Sequence, residues 1–212
     1  MSKYKGFLLV TMEPPPAIEE EFNDWYDTEH VPERASIRGF ESAHRYVCVN
    51  GWPRYVAIYD LSHVNVLDEP GYKAVSGNLF SPWSKRLLPR VRGQYRAAGD
   101  QVYPGHALTG QCARMLLLRF LRVGVAAKQT VVDGACSAFE GKPGVKQVRV
   151  LQHDSNGSCD FIVLVESEAP FDLTSLPRAE FGSAAASLDT VNEYVRHWVR
   201  GQLPGVYTEG GH

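Results

Sequence analysis

The chain lacks long hydrophobic runs and an excess of basic residues. No stretch of its 212 residues approaches the roughly 18 consecutive apolar residues that a membrane-spanning helix needs. Its 22 lysines and arginines are balanced by 24 acidic residues, so the formal net charge is −2. Nucleic acids and anionic membranes attract basic patches, and this composition predicts neither as a partner. The first apolar run is short and has no small-residue cleavage site, which predicts a cytoplasmic protein without a signal peptide.

Closely spaced metal ligands and the common catalytic motifs are missing too. The four cysteines are far apart and form no CxxC pair, so we expect reduced thiols. The sequence contains no nucleophile elbow, Walker loop, GxGxxG or HExxH motif. His30, His44 and His63 could in principle meet around a metal ion. Their spacing does not require it, and we predict no metal site.

The chain does contain one order of predicted elements twice. Apolar periodicity and turn residues predict strand, helix, two strands, a helical stretch and a strand in each half. In the first half these segments are 4–12, 17–34, 40–49, 55–61, 68–88 and 93–102. In the second half they are 114–123, 126–140, 145–152, 161–167, 177–188 and 192–203.

A βαββαβ unit makes a four-stranded antiparallel sheet with helices on one side and a bare face on the other. Two such units can bury their bare faces against each other. We therefore predict an α+β fold in which two ferredoxin-like βαββαβ repeats form an intramolecular α/β barrel. The predicted halves are 1–104 and 112–212, and the segment 103–111, which contains proline and glycine, joins them.

Ionisable and aromatic residues gather between positions 20 and 46. Phe22, Trp25 and Tyr26 share one face of the first predicted helix, and His30 follows one turn after Tyr26. Pro32 predicts that this helix ends, or at most continues as a kinked final turn. We expect this helix end to form the wall of a small-molecule site.

This pattern, followed by a glycine-led strand that ends in Arg45 and Tyr46, resembles the EthD-like group of the dimeric α/β-barrel superfamily. The resemblance implies a small, mostly apolar pocket between sheet and helices, usually without a cofactor. That superfamily includes polyketide cyclases, cofactor-free monooxygenases, lactone isomerases, dehydratases and haem-degrading enzymes, so the fold does not define the function. Haem held by a lone histidine is therefore an alternative. The corresponding second-half segment, VDGACSAFEGKP, has no histidine, which predicts one site per chain and a second half that is mainly scaffold.

His30 is the leading candidate for a general acid or base, because an imidazole titrates near neutrality. Its place near a helix C-terminus predicts a raised pKa, since the helix dipole favours the imidazolium. Tyr26, one turn earlier, could orient a substrate oxygen. The alternatives are that His30 only caps the helix and that Tyr26 is a core aromatic.

Alternation along the second strand puts His44 and Tyr46 on one face, which we expect to line the barrel interior. His44 is therefore a second candidate base. On the third strand Tyr55 and Tyr59 share a face, and we expect them to line the same interior, with Tyr59 as a hydrogen-bond donor. The residues predicted to bind substrate are Asn23, Trp25, Tyr46, Tyr59, Trp83 and Arg96. Trp83 could close or anchor the pocket, and Arg96 could bind a carboxylate.

The first hypothesis is a cofactor-independent lyase or isomerase acting on a small, hydrophobic, oxygenated substrate, such as an aromatic or polyketide-like compound. His30 would move the proton, and Tyr26, His44 or Tyr59 would stabilise the oxyanion. One alternative is a cofactor-free monooxygenase of an electron-rich phenol. Another is a non-catalytic ligand-binding or stress-associated protein. Besides a small-molecule substrate, the chain could also bind a second copy of itself as a homodimer.

Overall fold

The computed structural model describes residues 4–155 and 157–197. Eight antiparallel strands close into one barrel, and this confirms the predicted α+β barrel. The strands are β1 (Gly6–Glu13), β2 (Phe40–Asn50), β3 (Tyr55–Leu61), β4 (Arg92–Tyr103), β5 (Arg114–Phe120), β6 (Val145–Ser155), β7 (Ser158–Ser167) and β8 (Leu188–Arg196). Part of the last predicted strand, 198–203, lies outside the described residues.

The order of the strands is the same in both halves of the barrel. The closed order is β1-β3-β2-β8-β5-β7-β6-β4. The first half therefore runs β4-β1-β3-β2, and the second half runs β8-β5-β7-β6 in the corresponding order. Two antiparallel pairs, β2 with β8 and β4 with β6, join the halves and close the barrel.

Helices cover the outside of the barrel. They are α1 (Glu19–Trp25), α2 (Val31–Ala35), α3 (Pro70–Lys73), α4 (Pro82–Leu87) and α5 (Lys128–Phe139). A π-helical turn, Tyr26–His30, joins α1 to α2 without a break. The helix predicted at 177–188 is a 3-10 segment, Arg178–Ser187, with non-helical backbone angles at Gly182. Among the described residues, no helix is both long enough and apolar enough to cross a membrane.

The barrel interior is packed with side chains. Each of the eight strands contributes at least one buried apolar residue to it, including Leu9, Ile58, Leu117 and Leu164. Two further cores lie outside the sheet, one under α1 and one under α5. The expectation that site residues line a cavity inside the barrel is therefore wrong, because these apolar side chains, together with the buried salt bridges of Arg149 with Asp60 and Glu166, fill that space.

Strand β3 is buried on both faces. Val56 and Ile58 belong to the barrel interior, whereas Tyr55, Ala57 and Tyr59 belong to the core under α1. The expectation that Tyr59 faces the interior is therefore wrong. Helices cover the outside of the barrel, so both faces of this strand are apolar and alternation alone does not distinguish them.

Candidate functional site

A cavity of about 490 Å³ lies outside the barrel, between the sheet of the first half and its helical cover. Leu8, Val10 and Met12 of β1 form its apolar floor. His30 and Arg34 reach it from the helix that follows β1, and Ser84 and Lys85 reach it from α4. The remaining lining residues are Tyr59, Tyr72, Phe80, Leu88, Pro89, Gln94 and Arg96. A pocket between sheet and helices is what the family resemblance implies.

The π-helical turn positions His30. The backbone N–H of Val31 bonds to the carbonyl oxygen of Tyr26, five residues back, instead of the α-helical partner four residues back. Pro32 has no N–H and would interrupt an α-helix, yet here the helix continues to Ala35. Of the two outcomes predicted for Pro32, an end of the helix or a continued final turn, the structure has the second, because the wider turn accommodates the proline. Such single π-turns occur frequently at functional sites.

The His30 ring is enclosed by aromatic residues. It stacks on Trp25 with centroids 4.4 Å apart and meets the edge of Tyr26 at 5.2 Å. The ring is 8% exposed, and its buried Nδ1 has no hydrogen-bond partner in the part of the chain that the structure describes. Burial, and then the charges of Arg34 and Arg45, lower the pKa of His30 to about 3. The predicted rise in this pKa is therefore wrong, since burial and two cations outweigh the helix dipole.

Trp25 holds the imidazole in place from behind and does not line the cavity. Its indole Nε1 donates to Ser84 Oγ at 3.0 Å and to Glu29 Oε1 at 3.1 Å. These bonds tie the His30 helix to α4, which forms the opposite wall. Trp25 is therefore placed as a positioning residue behind His30 rather than as a substrate contact.

Arg34 is a cavity residue that the sequence analysis missed. Its side chain is 2% exposed, and its Nη2 donates to the carbonyl oxygen of Val75 at 2.7 Å. The guanidinium lies 5.0 Å from the Tyr72 ring centroid, and Glu33 is its carboxylate partner at 3.3 Å. In sequence Arg34 looks like an ordinary cation at a helix C-terminus, so only the chain folded over it reveals its burial.

Tyr59 and Arg96, which were predicted to bind substrate, both line the cavity. The Tyr59 hydroxyl is buried and has no hydrogen-bond partner within residues 4–155 and 157–197, and burial raises its pKa well above the ordinary value. Arg96 is exposed at the mouth of the cavity, where Nη2 donates to the Tyr72 hydroxyl at 3.4 Å.

Tyr26 and Asn23 lie beside the cavity, inside the packing under the helix. The Tyr26 hydroxyl donates to Met12 Sδ at 3.7 Å, and burial raises its pKa to about 12. Asn23 Oδ1 accepts a bond from Arg45 Nη2 at 2.7 Å, and its Nδ2 donates to the Tyr55 hydroxyl at 3.1 Å. The polar atoms of both side chains already have protein partners, so neither is presented to a ligand.

His44 and Tyr46 lie on the opposite face of the sheet from His30. Tyr46 is part of the barrel interior, and His44 Nδ1 lies 2.7 Å from Arg196 Nη2. Burial, then the charge of Arg196, lower the pKa of His44 to about 4. The sheet separates these two residues from the cavity, so the structure does not bring the two candidate histidines together.

Trp83 anchors α4 and does not line the cavity. Its indole Nε1 donates to Glu21 Oε1 at 3.2 Å, and its ring packs against the core under α1. Of its two predicted roles, lid or anchor, this placement matches the anchor.

Metal and haem sites both need particular ligating side chains. The part of the chain that the structure describes has no cluster of three or more His, Cys, Asp or Glu side chains suited to a metal. The cavity of about 300 Å³ beside α5 in the second half is lined by no His, Cys, Tyr or Met among the described residues. Haem needs such an axial ligand, so the second-half cavity does not fit it.

Comparisons with known proteins give a fold but no family. No protein-family model matches the sequence, and no curated protein matches it. An anthrone oxidase-like protein superposes with a TM-score of 0.67 at 13% identity, over 93% of this chain and 92% of its own. A chlorite dismutase from Candidatus Nitrospira defluvii in complex with imidazole superposes with a TM-score of 0.56 at 10% identity, over 91% of this chain and 92% of its own. A proposed monooxygenase from Lactobacillus acidophilus superposes with a TM-score of 0.52 at 12% identity, over 91% of this chain and 94% of its own. The protein therefore has the dimeric α+β barrel fold of these neighbours, closed here within a single chain.

Proposed function

We propose that this protein is an enzyme that removes a proton from a small, hydrophobic, oxygenated substrate, aromatic or polyketide-like, without a cofactor. A neutral imidazole and a buried guanidinium line the same apolar cavity, and this arrangement supports the proposal. The reaction class would be that of a lyase or isomerase.

His30 would act as the base. The proton would move from a carbon next to a substrate carbonyl to an imidazole nitrogen, and the electron pair of the broken C–H bond would move onto the carbonyl oxygen. The resulting enolate raises the pKa of the adjacent imidazole, because opposite charges stabilise each other at short range. Returning the proton elsewhere gives isomerisation, and loss of a leaving group gives elimination.

Arg34 would stabilise the negative oxygen. Its guanidinium is fixed by Val75 and Tyr72 before substrate enters, and a preorganised charge in a dry site is worth more than the same charge in water. Tyr59 would add a neutral hydrogen bond, since its buried hydroxyl has no partner among the described residues. Arg34 thus takes the oxyanion role that the sequence hypothesis gave to Tyr26, His44 or Tyr59.

Proton exchange at the substrate carbon tests this role directly. Anthrones and aromatic β-keto acids would be incubated with the protein in D₂O, and deuterium uptake followed by NMR. Replacing His30 with glutamine is expected to slow exchange about 10²-fold to 10⁴-fold, the usual contribution of a general base. His44→Gln is the matched control, since it removes an imidazole from the other face of the sheet, and it should leave the rate unchanged. Unaltered exchange in His30→Gln would contradict the role of His30. Binding without exchange in the wild type would instead indicate a ligand-binding protein.

A cofactor-free oxygenase is the second candidate, because structural neighbours include an anthrone oxidase-like protein and a proposed monooxygenase. The same proton abstraction would produce an electron-rich carbanion that reacts with O₂. A CH₂ group would lose two hydrogens and gain one oxygen atom as C=O, and the other oxygen atom would leave as water. Product formation that consumes equimolar O₂ and stops under argon would favour this candidate over a lyase or isomerase.

We also infer that the two halves are repeats of one βαββαβ unit and that the first half alone carries the site. The equal strand order of the halves supports the repeat. The apolar core under α5 supports a second half that serves as scaffold.

A further inference from the structure

The cavity of the first half has an unbalanced positive charge. Among the described residues, Arg34, Lys85 and Arg96 line it, and no aspartate or glutamate does. A cavity at one end of the barrel gives a contrast, because its arginine is matched by an aspartate. Arg119 and Asp189 line this cavity, and they form a salt bridge of 2.6 Å.

The three cations differ in how deeply they lie in the cavity. Arg34 is buried and has Glu33 as its carboxylate partner, whereas Lys85 and Arg96 are exposed. No salt bridge within residues 4–155 and 157–197 involves Lys85 or Arg96. Arg86, next to Lys85 on α4, shows the contrast, because it pairs with Glu21 at 2.6 Å. Lys85 and Arg96 are therefore free to neutralise a charge that comes with the ligand.

We propose that the substrate carries a carboxylate, which Arg96 and Lys85 bind at the mouth while the oxygenated ring system enters toward Arg34 and His30. This deepens the proposed function and rests on it. A guanidinium matches a carboxylate bidentately, and an ammonium adds a second point charge. The apolar floor formed by Leu8, Val10 and Met12 disfavours a permanently ionised group deeper in the cavity. The carboxylate thus sets the direction in which the substrate enters, with its reactive end inward.

Matched aromatic probes test this without knowledge of the true substrate. Titration calorimetry would compare 2-naphthoate with 2-naphthamide, which have the same ring system and differ in charge. The wild type is expected to bind the acid about tenfold more tightly than the amide, as for a charge-assisted hydrogen bond. This preference should shrink as salt is raised to about 0.15 M, because the mouth is exposed to solvent.

The double variant Lys85→Gln/Arg96→Gln should lose the preference for the acid and keep the wild-type affinity for the amide. Both residues are exposed, so the substitutions leave the core intact. Arg86→Gln is the control, since it removes a neighbouring exposed cation that does not line the cavity, and it should keep the full preference. 2-Naphthalenesulfonate distinguishes a carboxylate site from a general anion site, and we expect it to bind more weakly than the carboxylate.

Three results would overturn the inference. The first is equal binding of acid and amide by the wild type, which leaves the proposed proton transfer standing. The second is a preference that survives in the double variant. The third is sulfonate binding as tight as that of the acid, which would replace the carboxylate with anions in general. Failure of every probe to bind would instead count against the aromatic substrate class, and so against the proposed function together with this inference.

Discussion

The two halves of the barrel have the same strand order but differ in how their helical covers are built. In the second half α5 lies so close to the segment Arg178–Ser187 that a Cβ on Gly134 would come within 2.8 Å of the Glu180 carbonyl oxygen. Small residues such as Ala135, Ala138 and Ala184 permit this contact. The first half is covered in part by the short helices α3 and α4, each of which begins with a proline, and large aromatic side chains such as Trp25, Tyr26 and Tyr72 pack beneath this cover.

The halves also differ in what they bury under the helices. The core under α5 is apolar, whereas the first half buries His30, Arg34 and the Tyr59 hydroxyl around open space. Unpartnered buried polar atoms cost stability, which a scaffold has no reason to accept. The comparison teaches that one strand plan can carry an apolar core in one half and a cavity lined by buried ionisable groups in the other, through the size and polarity of the covering residues.

Truncating one phenylalanine in each half should give the largest difference in stability between the two halves. Phe181 is fully buried beneath α5, and its ring centroid lies 4.8 Å from that of Phe120. Because Phe181→Ala would leave a cavity in this core, it should lower the free energy of unfolding by about 3–5 kcal/mol. Phe80 borders the cavity, so Phe80→Ala removes fewer contacts and should cost about 1 kcal/mol. Urea denaturation of both variants measures the two values. Equal losses would show that the first half is packed as solidly as the second.

The next test is the pH dependence of the free energy of unfolding, which depends on the buried His30 of the first half. The pKa of His30 is about 3 in the folded protein and ordinarily 6.5, so between these values the unfolded chain binds a proton that the native state does not. Stability from this group is therefore complete above pH 6.5 and is lost as pH falls toward 3, by at most about 1.4 kcal/mol per pH unit. His30→Gln should flatten the curve by this one-proton slope, measured by urea denaturation across that range. His44 has a lowered pKa as well, so an unchanged slope in His30→Gln would assign the effect elsewhere.

The smallest expected effects come from two tyrosine substitutions, one in each half, which should change the free energy of unfolding in opposite directions. The Tyr59 hydroxyl is buried without a partner, so Tyr59→Phe should stabilise the protein by about 1 kcal/mol. The Tyr194 hydroxyl of the second half accepts a bond from Asn192 Nδ2 at 2.8 Å, so Tyr194→Phe should destabilise by about 1 kcal/mol. Thermal unfolding measures both changes. A gain in stability with a loss of turnover in Tyr59→Phe would indicate that the first half keeps this hydroxyl for a ligand, whereas destabilisation would argue against that.

The strands and the length of the first helix could be predicted because local patterns report them. The Asn50-Gly51 turn and the β-branched run after Tyr55 predict the β2–β3 hairpin, which pairs Val47 with Tyr55. The facing of β3 could not be predicted, since both faces meet apolar neighbours in a barrel covered by helices. Which of its two predicted effects Pro32 has, an end of the helix or a continued final turn, could not be predicted either. A local rule for α-helices does not include the π-turn that tertiary packing stabilises.

Of the candidate site, His30 was found because a histidine next to an aromatic pair is a local signal. Tyr59 and Arg96 were also placed at the cavity, although Tyr59 was assigned to the wrong face. Arg34 was missed because nothing within its helix marks it as buried. The segment that covers it, from Tyr72 to Phe80, lies about 40 residues further along the chain.

The sequence by itself determined the order of strands and helices and the gathering of aromatic and ionisable residues near His30. These follow from turn chemistry and periodicity, which act over a few residues. Only the tertiary structure decided that the barrel interior is filled, that the cavity lies on its outer side, and that His30 is neutral beside a buried Arg34. Burial, charge proximity and the choice of strand face depend on residues distant in sequence, and they exist only once the two halves have closed.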